Sequence, residues 1–358
     1  MSNPKETVTL LDVASAAGVS KATASNVFSR PERVRAPLRQ RVEDAARELG
    51  YTGPDPRGRL LSSGKVNAIG IVPPAAFGIS LFFKSSYSQH FLAGIADVCE
   101  QYGVGLSLVS GREDEAAWGI KTALVDGFIL NSMSQVAFVA PARRNQTRIV
   151  VVNPDATPDV GAVLIADREG MRRATEHLLA LGHRRFVIGT PLNDFRAPLV
   201  HPPGKGRMLA SPISTFSERL AGIADAFATA GLSTDAMPIV EACGTAAEEA
   251  AFGNGADLLL DNLGDATAVI AINDSLAISV VGKAKKRGIK VPHDLSVVGF
   301  DGVPEGALCD PPVTTVVQPI YEVGATAARL LLEGGKARHV TLPVELLIRG
   351  STGPAPPA

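Results

Sequence analysis

Asp301 follows the apolar run 295–300, Asn273 follows the apolar run 268–272, and Thr215 and Arg219 stand at i, i+4 on one helix face. A carboxylate accepts hydrogen bonds, a guanidinium donates in a fixed fork, and an amide or hydroxyl does both. Together they suit a hydroxyl-rich ligand such as a sugar or nucleoside. Ordinary explanations exist too: a strand-end Asp caps the next turn, and Arg219 pairs with Glu218 or Asp225 on its own surface. A second polar set comprises Lys21, Ala22, Ser25, Asn26 and Ser29, opposite an apolar stripe of Ala24, Val27 and Phe28. Short polar side chains on such a face suit a DNA groove.

Other residue sets fail on spacing. Pro203-Gly204-Lys205-Gly206 lacks the GxxxxGK[ST] frame of a phosphate loop, and no GxGxxG follows the first strand-like run. His177 and His183 are off the i, i+4 spacing of a helical metal pair and read as packing residues. Ser211, Ser214 and Ser217 have no neighbouring His and Asp to activate a nucleophile. Cys99, Cys243 and Cys309 are far apart without a CxxC, as expected of buried thiols in a reducing compartment. The expectation is a binding protein without cofactor or metal, not an enzyme.

The polar helix face needs a small helical unit to present it. Thr9 is placed to cap a helix over 10–17, with Asp12 closing a capping box, and Gly18 ends it. Ser20 caps a second helix over 21–29, and a third over 38–49 offers Val42, Ala45, Ala46 and Leu49 to the same core. Two short helices joined by Gly-Val-Ser with a third behind them match a DNA-reading helix-turn-helix; any small helical bundle shares the outline. Residues 1–65 hold eleven Lys/Arg against seven Asp/Glu, whereas the remainder holds 24 against 29. A basic head on an acidic body points to a polyanion partner.

The other polar set needs strand ends. With 358 residues, the chain exceeds one ordinary core. No apolar run approaches the roughly 18 residues of a membrane helix. The start, MSNPKETVTLLDVAS, has no basic stretch leading into an apolar one, so a cytoplasmic location is expected. Runs at 69–72, 104–109, 127–130 and 148–152 read as buried parallel strands, and a second series follows at 186–188, 268–272 and 295–300. Helices are expected over 88–102 in the first series, and over 168–181, 217–230, 274–287 and 319–333 in the second. Two such series imply two doubly wound α/β lobes, with a ligand outside the C-terminal strand ends and between the lobes.

The segment VTLLDVASAAGVSKATASNVFSRPERVRAPLRQRVEDAARELGYTGPDPRGRLLSSGK resembles the head and hinge of the lactose-repressor/galactose-repressor (LacI/GalR) family of bacterial regulators. HLLALGHRR, SERLAG, AINDSLA and VPHDLSVVGFDG extend the resemblance to a sensor related to periplasmic sugar-binding proteins. The resemblance implies that Lys21, Ala22 and Asn26 read bases while Thr9, Ser20, Thr23, Ser25 and Ser29 touch phosphates or groove edges. It also implies that 52–64, by composition a plain linker, folds on DNA with Gly58, Arg59 and a minor-groove wedge, Leu61. Effector contacts fall on Tyr87, Asn153 and Pro74 besides Thr215, Arg219, Asn273 and Asp301.

Departures are also visible. Asn26 stands where many members have Arg, which moves the base preference from guanine toward adenine. Gly53 looks inserted, 111–125 is short, 193–214 is a long loop, and no aromatic follows the run at Val240, where Gly244 is nearest. The expected organisation is a helix-turn-helix over 1–51, a hinge over 52–65, a two-lobed effector-binding and dimerisation body over 66–350, and a disordered tail over 351–358. A homodimer on a palindromic double-stranded DNA operator, answering to a sugar-like effector, is the function implied. A solute-capture protein shares the body but not the head.

Overall fold

Apart from residues 1–7, 54–65, 75–77, 111–118, 121, 132–146, 155–159, 192–197, 206–213, 243–253 and 358, the computed structural model describes the whole chain. Its contacts divide into two units, Met1–Val66 and Asn67–Ala358.

In the first unit, α1 (Leu10–Ala16) opens on a capping box. The Thr9 amide and hydroxyl donate to the Asp12 carboxylate at 2.8 and 2.7 Å, and Thr9 Oγ1 accepts from the Asp12 amide. Gly18 turns the chain with φ +61°, and Ser20 Oγ accepts from the Thr23 amide at 3.1 Å to start α2 (Lys21–Ser29). The third helix, α3 (Ala36–Leu49), begins two residues earlier than its apolar pattern predicts, with Pro37 in its first turn, and ends on left-handed Gly50. Val13, Ala14, Ala17, Ala24, Val27, Val42, Ala45 and Ala46 form the core, with Phe28 edge-on to Tyr51. Leu49, expected in that core, is instead 38% exposed, in the last turn of α3 at the margin of the head.

The second unit holds two sheets. The first orders its strands β12-β5-β4-β3-β1-β2, all parallel: β1 (Ala68–Val72), β2 (Gly105–Leu108), β3 (Gly127–Leu130), β4 (Arg148–Val152), β5 (Gly161–Ile165) and β12 (His339–Leu342). The second runs β13-β11-β10-β9-β6-β8-β7: β6 (Phe186–Thr190), β7 (Leu199–His201), β8 (Ile239–Glu241), β9 (Ala268–Ala271), β10 (Ser296–Asp301), β11 (Thr314–Val317) and β13 (Glu345–Leu347). Only the edge strands β7 and β13 in that sheet pair antiparallel. Strands β3 and β4 are apolar nearly throughout and buried along almost all their length, as inner strands of a parallel sheet are. In contrast β2, expected to be buried, is a half-exposed edge.

Among the described residues the body's helices are α4 (Gly78–Lys84), α5 (Ser86–Tyr102), α6 (Asp167–Ala180), α7 (Ser214–Thr229), α8 (Gly255–Asp261), α9 (Asp274–Lys286), α10 (Pro304–Ala307) and α11 (Ile320–Glu333). The chain crosses between sheets three times: after β5, after β11 and after β12. Consequently α11, expected with the second series, packs on α5 in the first lobe. Glycines decide that pairing. A Cβ on Gly94 would overlap the Tyr321 carbonyl, and one on Gly324 would overlap the Phe91 carbonyl. The helices cross in close contact that larger residues would forbid.

Two further expectations are corrected. The long 193–214 connection carries β7 at its middle, antiparallel to β8, with His201 Nε2 2.8 Å from the Glu241 carboxylate. The supposed disordered tail is docked. Ser351 is fully buried, donating to Val297 O at 2.6 Å and accepting from the Thr314 amide at 2.8 Å, while the Ala355 amide donates to Leu181 O. Polar satisfaction holds it where apolar content is lacking. His183, fully buried, bridges Thr267, Ser296 and the Gly353 carbonyl, and burial lowers its pKa.

Candidate functional site

A buried ionic cluster lies where the chain passes between the lobes. Arg219, one turn beyond Thr215 on α7, donates from Nε to Asp167 Oδ1 at 2.7 Å. Its Nη1 donates to the Ile272 carbonyl at 2.7 Å and to Asp301 Oδ1 at 3.1 Å. The guanidinium carbon sits 3.6 Å over the centre of the Phe300 ring. Arg219 and Asp167 side chains are 3% and 4% exposed, and Asp301 is 13% exposed. Asp167 opens α6 directly after the first crossing, and Gln318 in the second crossing donates to Asp301 Oδ1 at 2.7 Å. Neither surface acid of the ordinary explanation takes Arg219: Asp225 accepts a two-pronged bond from Arg168, and Glu218 is exposed.

Asp274, at the start of α9, holds the turn beyond β10. Its carboxylate accepts from the Gly302 and Val303 amides at 2.7 and 2.9 Å and from the Thr315 hydroxyl at 2.6 Å. That grip keeps Asp301 at φ +128°, a backbone state ordinary side chains avoid. Two carboxylates therefore meet the guanidinium, a third, Asp274, neighbours Asp301, and burial raises the pKa values of all three. Asp167 is pushed up to about 6 by burial, against the Arg219 charge. Asp274 is pushed up to about 7 by burial and by the charge of Asp301. Asp301 is raised by burial, opposed by Arg219 and Gln318.

Tyr87, in the first turn of α5, joins this cluster from the first lobe. Its phenol pKa is raised by burial, and it also feels the charges of Asp301, Arg219 and Asp167. Its ring stacks on Phe91. Thr215 and Pro74 are half-buried, at the start of α7 and just past β1. Two amides are committed to the backbone. Asn273 Oδ1 accepts from the Leu276 amide at 2.9 Å as the cap of α9, and Asn153 Oδ1 accepts from the Ile165 amide at 3.0 Å with φ +50°. For each, the NH2 end and one further acceptor position on the oxygen are left to meet a ligand. Asp167, Gln318, Asp274 and Phe300 were not singled out from sequence. The one available signal was Asp167, at the head of a helix just after the apolar stretch Gly161–Ile165.

In the head, Lys21, Ala22, Asn26 and Ser29 are exposed on α2, Ser25 and Thr23 are half-buried, and Ala24 and Val27 point into the core. Ser29 Oγ donates to Ser25 O at 2.8 Å. Thr9 and Ser20 are exposed helix caps. Gly58, Arg59 and Leu61 lie outside the described residues. No helix among the described residues is long and apolar enough to cross a membrane.

Comparison with known proteins agrees with both units. Residues 9–53 match the model of bacterial regulatory proteins of the lacI family, and residues 175–352 match a periplasmic binding protein-like domain. An HTH-type transcriptional regulator of Mycolicibacterium smegmatis is 34% identical over 92% of this chain and 91% of its own. The chain belongs to the LacI family. The HTH-type transcriptional repressor CytR of Escherichia coli is 31% identical over 97% of both chains. The solved lac repressor dimer, bound to operator and the anti-inducer ONPF, shares the fold with TM-score 0.77 at 24% identity, covering 97% of this chain and 100% of that one. This LacI-family protein is thus a helix-turn-helix transcriptional regulator with a periplasmic binding protein-like body, and members of the family are not enzymes.

Proposed function

We propose that the chain is a cytoplasmic repressor that binds a palindromic operator as a homodimer and changes its operator affinity when a small polyhydroxylated molecule, a sugar, binds between the lobes. The observation that carries this reading is the position of Arg219, held between Asp167 at one inter-lobe crossing and Asp301 at a strand end. Fixed donors and acceptors at such a place let a ligand bias the lobe arrangement. On the DNA side, the exposed polar face of α2 supports base reading by Lys21, Ala22 and Asn26, with Thr9, Ser20, Thr23, Ser25 and Ser29 as groove-edge and phosphate contacts. The hinge residues Gly58, Arg59 and Leu61 would complete the interface. A single recognition helix reads few bases, so a two-fold dimer on two half-sites gives the specificity a regulator needs.

The test is a gel mobility shift with the DNA upstream of the chain's own gene, repeated across a panel of sugars and nucleosides. A retarded band that one compound abolishes or strengthens is expected. No retardation, or a band indifferent to every compound, would overturn the reading.

A further inference from the structure

Where the parallel strands of the first sheet begin, the turn from α11 into β12 closes a pocket of about 270 Å³. Arg148 opens β4 at this end, and Asn153 follows the opposite end five residues on, about 16 Å away. The pocket is therefore separate from the polar cluster beyond the other strand ends. Its floor is apolar, with Ile149, Val150 and Leu331 buried. Its walls carry three exposed cations, Arg148, Lys336 and Arg338, and among the described residues no carboxylate lines it.

The backbone around it is prepared for negative charge. Carbonyls at a helix C-terminus normally turn an anion away. At the end of α11 they are occupied: Leu330 O accepts from the Gly334 amide, and Arg148 Nη1 donates to Leu331 O and Leu332 O at 3.4 and 3.3 Å. A Cβ on Gly334 would come within 2.6 Å of the guanidinium and displace it, so the glycine keeps Arg148 at the rim. Arg148 Nε and Nη2 are unused by any described residue, and Lys336 meets no acid among them. Arg338 pairs with Glu333 at 2.6 Å, but both are largely in solvent, where such a pair is weak. A concave wall of one sign concentrates the opposite ion.

We propose that this pocket binds a small phosphate monoester, with its phosphate among Arg148, Lys336 and Arg338 and its carbon skeleton against the apolar floor. A monoester carries about −1.5 to −2 charge at pH 7 and three strong acceptor oxygens, a match for three cations that a single carboxylate does not offer. The volume approaches the roughly 300–1,000 Å³ of small-molecule sites, and a concave wall encloses one phosphate where a duplex presents a row of them. The place gives the site its consequence. Gly70, Phe128 and Ile149 share one row of the sheet, so Arg148 stands about 10 Å, two strand spacings, from the start of β1, where the chain enters the body. A second signal would thus be received at the end of the body to which the head is attached.

The full-length protein is titrated by calorimetry with inorganic phosphate, glycerol 3-phosphate and ribose 5-phosphate at one fixed ionic strength, with and without excess D-ribose. At least one monoester should bind, more tightly than inorganic phosphate, and D-ribose should not displace it. Lys336→Gln combined with Arg338→Gln should weaken that binding roughly tenfold or more. Lys286→Gln combined with Lys290→Gln removes the same charge from the second lobe and should leave it within about twofold of wild type. All four lysine and arginine positions are exposed, so neither pair should move the melting point by more than roughly 2 °C. No binding of either monoester by wild type overturns the proposal. So does equal weakening by both pairs, which marks an effect of net charge, or displacement by D-ribose, which places the phosphate in the sugar site. Inorganic phosphate binding as tightly as the esters overturns the monoester assignment. If no monoester binds and the Lys336 and Arg338 pair instead loses affinity for DNA of any sequence, these cations are contacts to the DNA backbone.

Discussion

Replacing Arg219 by Met should destabilise the body far more than neutralising either of its acidic partners, and the gap should widen with pH. In the native chain this one guanidinium meets Asp167, Asp301 and a backbone carbonyl, all buried. Its removal leaves buried carboxylates without a cation, a change that typically costs about 3–5 kcal/mol. Asp301→Asn is different. The amide oxygen still accepts from Arg219 and Gln318, and Arg219 keeps Asp167, so about 1–2 kcal/mol is expected. At roughly 2–4 °C per kcal/mol, the melting point falls by about 6–20 °C in the first variant and about 2–8 °C in the second.

The pH dependence follows from the signs. Burial already raises Asp167 to about 6 and Asp274 to about 7 from 3.8. Without Arg219, Asp167 and Asp301 rise further, so the native state binds protons that the unfolded chain has released. Stability then falls as pH rises from about 4 through the raised values. The deficit of Arg219→Met should be smallest near about pH 5 and largest near about pH 8, by scanning calorimetry. Equal losses in both variants, or a deficit flat with pH, would refute the idea that one guanidinium holds the cluster.

Asn26→Ala should cost about 1–3 kcal/mol on the preferred operator and relax selection at one base pair per half-site; an equal loss on every sequence makes Asn26 a phosphate contact. Leu61→Ala should weaken operator binding while sparing non-specific binding, as measured by fluorescence anisotropy on both DNAs, and unchanged operator affinity would reduce the hinge to a linker. A chain ended at Gly350 should melt lower by several degrees, since Ser351 satisfies Val297 O and the Thr314 amide inside the second lobe; an unaltered melting curve would show that the tail's docking carries no stability.

What the sequence made legible was local. Capping at Thr9 and Ser20 and an apolar stripe with period near 3.6 need no distant partner, and the head follows from them. Strands such as Gly127–Leu130 and Arg148–Val152 are continuous apolar runs bounded by polar residues, and they stand where those runs do. Of the strands not read, Leu199–His201, His339–Leu342 and Glu345–Leu347 are short, partly exposed edge strands, whereas Gly161–Ile165 and Thr314–Val317 are short inner strands that are largely buried. The lobe assignment of α11 was hidden for another reason. Its apolar face suits either sheet, and only the mutual approach of Gly94 and Gly324 settles it. Arg219 and Asp301 stood out through a helical repeat and a strand end. Asp167 did not, because an acid in the first turn of a helix is its commonest position and needs no further partner. The tail misled through composition: proline-rich and weakly apolar, it is held by backbone bonds that no hydropathy pattern records.

The two acids on Arg219 also set the scale of the proposed response. Coupling between two ligands of one protein commonly amounts to about 1–3 kcal/mol. A hydrogen bond to a charged group contributes about 1.5–3 kcal/mol. An effector that draws Asp301 toward its own hydroxyls therefore has to weaken only one bond of Arg219 to alter operator affinity by the usual amount. Asp301 serves the ligand-free protein as well, through Arg219 and Gln318. Its removal must then change the resting lobe equilibrium along with effector binding, so Asp301→Ala should show an altered basal operator affinity, where a carboxylate that touched only ligand would leave it untouched. The asymmetry between Asp167, at the crossing after β5, and Asp301, at the end of β10, gives that shift a direction: losing Asp301 leaves Arg219 tied to the crossing, and losing Asp167 leaves it tied to the second lobe.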